Sequence, residues 1–569
     1  MKYTHNNNEL TLNNIGEQVY LKGWAAKVRN LGGLIFIDLR DRFGITQVVV
    51  KPENKYYSEA IKIKNEYVLE VKGVVIERES KNKNIKTGDI EIDVNSLTIL
   101  AEAKNPPLII ANDTDALEEV RLKYRFLDLR RPVMQNYLIK RHEISQSIRG
   151  SLINSGYYEL ETPVLGKSTP EGARDYLVPS RIHPGNFYAL PQSPQIYKQL
   201  FMVAGFEKYF QLAKCFRDED LRSDRQPEFT QVDIEASFIE EEDIYVLIEH
   251  VMKDLFLKVM NINLETPFLR MTYNDAMTYY GTDKPDMRYG LKIEDFTRIF
   301  SKYDIPLFNG KEYVRGIRVN STDFSRKNVD TLQELVKKNH GEALAFIKYE
   351  NNNLSGSIAK FITDELLSEL KPNNNETLFL VPGNFNNTSS GLSSLRIEIA
   401  NTLNLIENTY KFLWVTDWPL LEYDEDDKRF YPVHHPFTAP SDVETLRNDP
   451  INAKARAYDI VLNGYEIGGG SIRIHNQSVQ KLMFEKLSLS ETEANDKFGF
   501  LLEALSYGTP PHGGIALGLD RIVMLLTNTT NIKDVVAFPK TQSAKDLMME
   551  APSKVALEQL KELKIKEDL

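Results

Sequence analysis

The sequence predicts an α+β, multidomain chain: a small N-terminal β-barrel, then a larger mixed domain split by an insertion. Three observations predict it. Residues 1–104 hold short, regularly spaced strand patterns with turn signals between them. From about residue 136, helical and strand patterns alternate around glycine-rich runs. Residues 289–411 change composition, with Asn351-Asn352-Asn353 and Asn373-Asn374-Asn375, and carry no cluster of catalytic residue types. The length of 569 residues agrees, being enough for three or four domains at ~100–200 residues each.

Taken in order, Val19-Tyr20-Leu21, Leu34 to Leu39, Gln47 to Val50 and Val68 to Val71 read as strands bounded by Gly, Asn or charged turns. Asn105-Pro106-Pro107 breaks the pattern, so 105–135 reads as a hinge. Asn136 to Ser155 reads as a helix because Ile144, Ile148 and Leu152 recur at i, i+4, with Gly156 as its stop. Tyr157 to Glu161 follows as a strand ended by Pro163. Residues 136–288 form the first part of the main domain, 289–411 the insertion, and 412–569 the second part, resuming at Phe412-Leu413-Trp414-Val415. From Lys545 the chain is charged and reads as a surface extension.

Charged residues make up 27% and apolar residues 42%, which excludes collagen-like, coiled-coil and wholly disordered chains. The net charge of −11 argues against a uniform polycation for nucleic acid. Its distribution leaves room for a local basic face: residues 1–104 carry 16 Lys/Arg against 14 Asp/Glu, a net of +2, and the remaining 465 residues carry −13. A single cysteine, Cys215, permits no intrachain disulfide and fits a reducing compartment. The first residues lack the apolar core of a secretory signal, and no run approaches ~18 apolar residues. A cytoplasmic protein with no membrane partner is expected.

Three constellations carry chemistry. In Tyr209 to Glu219, period 2 puts Arg217 and Glu219 on one face with Gln211. A polar loop with Arg222, Arg225 and Gln226 follows. The chain returns as Phe229 to Glu235, with Phe229, Gln231, Asp233 and Glu235 on one face and Val232 and Ile234 on the other. A solvated polar face is the ordinary reading of such a hairpin; this many polar positions in register weigh against it.

The second is Gly464 to Arg473, with Gly468-Gly469-Gly470 inside a strand-like run and Asp459 seven residues before Glu466. Two converging carboxylates suit a hard cation such as Mg²⁺ that also takes phosphate oxygens. The bland alternative is a tight glycine turn. In an unbroken strand Glu466 and Arg473 face opposite sides, so a bulge is required to bring both into one pocket. The third is Gly513 to Arg521 running into Ile522 to Leu526: strand, glycine turn, buried helix. An arginine at an apolar helix start needs an anionic or π partner, either an internal salt bridge or a ligand. Smaller turns expose Glu171 and the Gln192-Ser193-Pro194-Gln195 run before Lys198. His434-His435 lacks zinc-ligand spacing.

Together these pieces resemble the class II aminoacyl-tRNA synthetases. The helix ending at Glu161-Thr162-Pro163 resembles motif 1, Phe216 to Glu219 with its hairpin return motif 2, and Gly518-Leu519-Asp520-Arg521 motif 3. Thr169 to Ala173, Gln192 to Gln195, Phe229-Thr230-Gln231 and Glu466 to Arg473 resemble the aspartyl branch, and the insertion its bacterial type. The resemblance implies an N-terminal OB-fold anticodon-binding domain, an antiparallel-sheet catalytic core and a homodimer built through motif 1. It implies activation of L-aspartate by ATP to aspartyl-adenylate, then transfer to the 3′ adenosine of tRNA(Asp).

The resemblance also implies roles. Arg217 bridges the aspartate carboxylate and the α-phosphate, and Arg521 lies near the γ-phosphate. ATP is held by Arg217, Asp218, Glu219, Gln226, Phe229, Glu466, Gly518, Leu519, Asp520 and Arg521, with adenine between Phe229 and Arg521. Asp459 and Glu466 hold Mg²⁺. Aspartate is held by Glu171, Ser193, Gln195, Lys198, Arg217, Asp233, His434, His435 and Arg473. Lys198 and Arg473 take its side-chain carboxylate, and a neutral asparagine is expected to leave both cations unpaired. In the barrel, Arg29, Phe36 and Gln47 match positions that read the anticodon, with Ile35 and Ile37 free to fill the core. Leu31 leans toward an enzyme confined to tRNA(Asp). Asparaginyl and lysyl enzymes fit Lys198 and Arg473 less well. A non-catalytic nucleic-acid-binding relative conflicts with the presence of Arg217, Glu466 and Arg521. An amide-forming ligase on the same core conflicts with the barrel.

Overall fold

The structure is a computed structural model and describes residues 3–169, 173–221 and 224–566. Two compact units divide it. One comprises Met1–His142, Leu221–Gln226 and Val523–Ala556; the other comprises Glu143–Asp220, Pro227–Ile522 and Leu557–Leu569.

In the first unit, five strands close into a barrel: β1 (Gln18–Leu31), β2 (Leu34–Arg40), β3 (Ile45–Val50), β4 (Val68–Glu77) and β5 (Ile90–Ala101), in the order β1-β2-β3-β5-β4. Period-2 alternation fills its interior, with Leu21, Ile35, Ile37, Leu39, Val48, Val50, Leu69, Val71 and Ile92 all buried. The sequence patterns assign four of these strands. The fifth, β5, alternates Ile90, Ile92 and Val94 with Glu91 and Asp93 and closes the sheet by running parallel to β3. Closure removes the exposed edges that a five-stranded open sheet would present. The hinge that follows contains two short helices, Glu118–Lys123 and Arg125–Asp128. Asp128 is fully buried and bonded by Arg121, Arg125 and Arg131, so one carboxylate organises three cations. Arg125 also donates to the carbonyls of Lys533, Val536 and Ala537.

The helix read from Asn136 starts earlier, at Pro132, and runs to Asn154. Proline is pre-organised for the first helical position, so it opens this helix rather than blocking it. Ile144, Ile148 and Leu152 are fully buried, and Gly156 ends the turn at φ +83°. The strand expected over 157–161 shortens to Tyr158–Glu159.

The second unit is organised by an eight-stranded sheet. Its order is Leu269–Thr272, Phe412–Thr416, Ala457–Leu462, Tyr465–Ile472, His512–Gly518, Glu228–Ser237, Lys208–Phe216, Tyr158–Glu159. Only the two outermost pairings are parallel. Inserted in this chain is a five-stranded sheet ordered Ile293–Asp295, Tyr313–Val319, Glu376–Gly383, Ala345–Glu350, Asn353–Gly356. Helices Arg326–Lys338 and Phe385–Thr402 pack on one of its cores, and helix Asp364–Leu370 on another. Among the described residues, no helix is long and apolar enough to cross a membrane.

Candidate active site

The central strands of the eight-stranded sheet carry the site. Glu228–Ser237 pairs with Lys208–Phe216 in register Asp233↔Gln211, Gln231↔Ala213 and Phe229↔Cys215, and with the next strand as Asp233↔Ala516 and Glu235↔Gly514. The alternation read from sequence therefore holds across Phe229, Gln231, Asp233 and Glu235. It does not extend to Arg217 and Glu219, because the strand ends at Phe216, whose N–H turns to Pro191 O. Arg217 N–H then bonds Pro227 O and Asp218 N–H bonds Arg174 O, so hydrogen bonds at the hairpin mouth place these residues.

The aspartate-pocket candidates converge on a buried ionic quartet. Lys198 Nζ lies 3.2 Å from Asp233 Oδ1 and 3.5 Å from Glu235 Oε2. Arg473 Nε lies 2.9 Å from Glu235 Oε1, and its Nη2 lies 3.2 Å from Oε2. None of the four is more than 2% exposed. Two buried cations thus lie among two carboxylates, so a neutral substrate would not leave them unpaired, contrary to the expectation from sequence. Each cation already has a carboxylate, because burying a lone charge is prohibitive.

Burial pushes Asp233 above the usual carboxylate range, against the pull of Lys198. Burial acts the same way on Glu235, but Arg473 and Lys198 outweigh it and hold its carboxyl low. Asp233 Oδ2 is buried without a hydrogen-bond partner.

Further donors and acceptors hold Arg473 in place. Arg473 Nη1 reaches Ser471 Oγ and His435 Nε2, each at 2.6 Å. The Phe437 backbone nitrogen lies 3.1 Å from His435 Nδ1. Burial, then Arg473, holds His435 well below the usual imidazole range, and burial lowers His434 to about 4. Both rings are neutral at pH 7. Arg473 Nη1 can only donate, so at 2.6 Å the Nε2 of the neutral His435 ring accepts from it. His434 stacks edge-on against Trp418 at 4.8 Å. Gln195 is buried with its Nε2 unpartnered, and its backbone N–H donates to Ser193 Oγ at 2.9 Å. Glu171 lies outside the described residues.

Glycines make this possible. A Cβ on Gly514 would fall 2.2 Å from Glu235 Oε2 and 2.1 Å from Ile234 O, so only glycine lets the Glu235 carboxylate lie across the neighbouring strand. Gly468-Gly469-Gly470 sits within the strand Tyr465–Ile472, not in a turn; the turn is Asn463-Gly464. The register runs Ile460↔Gly468 but Val461↔Glu466, so Ile467 is the extra residue of a bulge. That bulge resets the alternation, and Glu466 shares a face with Asp459, Gly469 and Ser471, the parity that Arg473 continues. The parity conflict in the sequence is resolved here.

Asp459 and Glu466 converge over Gly469, where a Cβ would lie 2.6 Å from Asp459 Oδ1 and 3.9 Å from Glu466 Oε1. Asp459 is buried with that Oδ1 unpartnered, and burial, then Glu466 and Asp283, raise it well above the carboxylate range. A buried oxygen without a donor beside a second carboxylate fits a divalent cation. Mg²⁺ takes one or two carboxylates and completes its shell with phosphates and water.

On the nucleotide side, the Arg217 guanidinium lies over the Phe229 ring at 5.1 Å, with its Nε buried and unpartnered. Arg521, expected on the other side of adenine from Phe229, donates from Nη1 to Glu466 O, tying the helix start at Leu519 to the metal-side strand. Asp520 accepts the Thr230 N–H at 2.8 Å and is buried, as is Leu519. Gly518 closes the preceding strand. Glu219 sits half-buried at the hairpin mouth. Gln226 belongs to the other unit, where its amide is bonded to the backbone N–H and carbonyl of Lys540.

On the barrel, Arg29 pairs with Phe36 across β1 and β2, and Asp38 with Gln47 across β2 and β3. Phe36 is half-exposed on the outer face while Ile35 and Ile37 fill the core. Arg29 bonds Asp38 at 2.5 Å and Gln47 Oε1 at 3.0 Å, and Gln47 Nε2 bonds Glu91 at 2.5 Å. Gln47 is buried and presents no free amide edge; it buttresses Arg29.

Sequence reasoning gave no role to Glu235, Ser471 or Gly514. The shared parity of Asp233 and Glu235 was the available signal for the first.

A family model described as tRNA synthetases class II (D, K and N) matches residues 117–542, and one described as OB-fold nucleic acid binding domain matches residues 19–100. The Aspartate--tRNA(Asp/Asn) ligase of Geobacillus sp. is 53% identical over 572 residues, covering 98% of this chain and 96% of that protein. The Aspartate--tRNA ligase of Aster yellows witches'-broom phytoplasma is 52% identical over 572 residues, covering 99% and 98%. Among solved structures, asparaginyl-tRNA synthetase from Pyrococcus horikoshii complexed with asparaginyl-adenylate aligns at TM-score 0.59 and 19% identity, covering 94% of this chain and 97% of that one, a likeness of fold. The chain belongs to the class II tRNA synthetases, within the family of aspartate–tRNA ligases.

Proposed function

We propose that this enzyme activates L-aspartate with ATP to aspartyl-adenylate and pyrophosphate, then transfers aspartate to the 3′ adenosine of tRNA(Asp) in translation. The observation that carries the amino-acid assignment is the buried quartet of Lys198, Asp233, Glu235 and Arg473 with neutral His435 beside it. The substrate side-chain carboxylate, an acceptor only, meets Arg473 Nη1 and Lys198, with His435 Nε2 accepting from that Nη1 and holding it in place. An asparagine amide would turn its own N–H₂ toward those donors, and that mismatch is the basis of discrimination. Asp233 Oδ2 is a ready acceptor for the α-ammonium, and Gln195 Nε2 a ready donor to a substrate oxygen.

In the reading we favour, Arg217 leaves the Phe229 face to bridge the aspartate α-carboxylate and the α-phosphate, freeing that ring for adenine. Two anions approach each other in this step, and a planar guanidinium holds both. Glu219 accepts from the adenine amino group. Arg521, fixed near Glu466, faces the γ-phosphate. Asp459 and Glu466 would hold Mg²⁺, which supplies charge neutralisation on the pyrophosphate side. Each remaining step is positioning by this chain's own residues.

We further propose the domain limits read from sequence, a cytoplasmic setting, and a homodimer formed through the helix Pro132–Asn154 and the segment after it, where Ile139, Tyr158, Val164 and Leu165 are exposed. Arg29 and Phe36 read the anticodon. The relatives' names include both tRNA(Asp/Asn) and tRNA alone; Leu31, exposed at the end of β1, favours tRNA(Asp) alone. The test is ATP–pyrophosphate exchange with each of the twenty amino acids, followed by charging of tRNA(Asp) and tRNA(Asn) transcripts. Exchange driven by asparagine or lysine in place of aspartate would overturn the substrate. Efficient charging of tRNA(Asn) would overturn the reading of Leu31.

A further inference from the structure

Two buried arginines of the insertion, with no carboxylate among their hydrogen-bond partners in the described residues, hold the segment by which the chain enters the insertion. Arg315, on the strand Tyr313–Val319, donates to the carbonyls of Met277 at 3.0 Å and Thr278 at 2.6 Å, in the last turn of helix Tyr273–Tyr280, and to Ser389 Oγ at 2.6 Å. A cation at a helix C-terminus meets the negative end of its dipole. Arg396, on helix Phe385–Thr402, donates to Leu291 O at 2.7 Å and Gly290 O at 3.1 Å. Its guanidinium also lies 4.7 Å from the Tyr280 ring and 5.0 Å from the Tyr289 ring. Tyr280 and Tyr289 flank the segment 281–288, so Arg396 closes both of its ends while Arg315 holds the helix that leads into it.

That segment and the one returning from the insertion meet at a single turn. Asp286, ion-paired with Arg288 at 2.7 Å, packs against Gly464, where a Cβ would be 3.1 Å from Asp286 Cβ. On the other side, Asn463 bonds the backbone of Lys411 and Thr409. Arg288 O accepts the Glu407 N–H at 3.3 Å, joining the ingoing and outgoing segments. The clasped turn, Asn463-Gly464, connects the two strands that carry Asp459 and Glu466.

We propose that Arg315 and Arg396 are positioning residues for the Asp459–Glu466 pair, acting through the segment 281–288 and the Asn463-Gly464 turn. The insertion is then a brace for the nucleotide side of the site. This rests on the reading of Asp459 and Glu466 as the metal pair.

The test uses the full-length enzyme. Mn²⁺ binding is titrated by electron paramagnetic resonance with a non-hydrolysable ATP analogue, and exchange kinetics are measured in parallel. Arg396→Met and the milder variant Asp286→Ala are each expected to weaken Mn²⁺ binding and raise KM for ATP by roughly 5- to 20-fold, with KM for aspartate within about twofold. Asp286→Ala carries the test alone if Arg396→Met does not fold. Wild-type Mn²⁺ binding and ATP KM in Asp286→Ala, with Mn²⁺ lost in Asp459→Asn, would overturn the brace. An equal rise in both KM values would also overturn it, as a general loosening. Undiminished Mn²⁺ binding in Asp459→Asn would overturn the metal pair itself.

Discussion

Arg473 and Glu235 form a two-point ion pair at 2.9 and 3.2 Å, 2% and 0% exposed, beneath the candidate aspartate pocket. The pair engages Nε and Nη2 of Arg473 and leaves Nη1 to Ser471 and His435. Removing one partner of such a pair costs roughly 3–5 kcal/mol, because the other charge stays buried. Arg473→Leu is therefore expected to abolish aspartate-dependent exchange and to lower stability by a few kcal/mol, while ATP affinity stays within about threefold. Calorimetric ATP titration and exchange assays check this together. Near-normal exchange would remove Arg473 from the pocket.

Two glycines test separate relationships. At Gly469 an added methyl meets the Asp459 carboxylate at 2.6 Å, a side chain that can swing away. At Gly514 it meets Ile234 O at 2.1 Å, which is backbone in the next strand. Gly469→Ala should lower exchange by about 10- to 100-fold with little change in Tm, since about 1 Å of misplacement is enough. Gly514→Ala should lower stability first. Thermal melts beside exchange rates separate the two. A normal rate for Gly469→Ala would dissociate Asp459 from activation.

Phe36 is half-exposed opposite Arg29 on the barrel's outer face. Stacking on one base is worth ~1–3 kcal/mol, so Phe36→Ala should weaken tRNA(Asp) binding about 5- to 150-fold and leave exchange unchanged. Filter binding measures the first quantity. Unchanged charging at limiting tRNA would return Phe36 to a packing role.

His434 gives a pH signature. Burial lowers its folded-state value to about 4 from the ordinary 6.5, so the unfolded chain takes up a proton first as pH falls. Its contribution is present in full above about pH 6.5 and is lost as pH falls toward 4. Between pH 8 and pH 5 the wild type should lose about 2 kcal/mol relative to His434→Gln, measured by urea unfolding at both pH values. Parallel losses in the two proteins would contradict a buried neutral imidazole.

The local patterns were legible because they are written at short range. Alternation at Leu34 to Leu39 put Ile35 and Ile37 in the barrel core and Phe36 outside. The i, i+4 spacing of Ile144, Ile148 and Leu152 set the buried face of the first long helix. The run from Phe229 to Glu235 displayed its polar face. The net −11 was a poor guide to partner, since the basic residues of a tRNA-reading barrel count by position, not by total.

What the tertiary structure decided depends on neighbours remote in sequence. The bulge at Ile467 exists only against the strand Ala457–Leu462, and it alone brings Glu466 to the face of Asp459. The burial of Lys198 and Arg473 demanded Asp233 and Glu235 as counter-charges, and Glu235 lies flat only because Gly514 stands opposite it. Arg315 and Arg396 reach carbonyls and rings across a gap of residues that no periodicity describes. Sequence by itself determined which residue types were present and which faces they shared within a strand or helix. The fold decided which of those faces met, because close packing and the high cost of an unpaired buried charge leave few arrangements that satisfy every group at once.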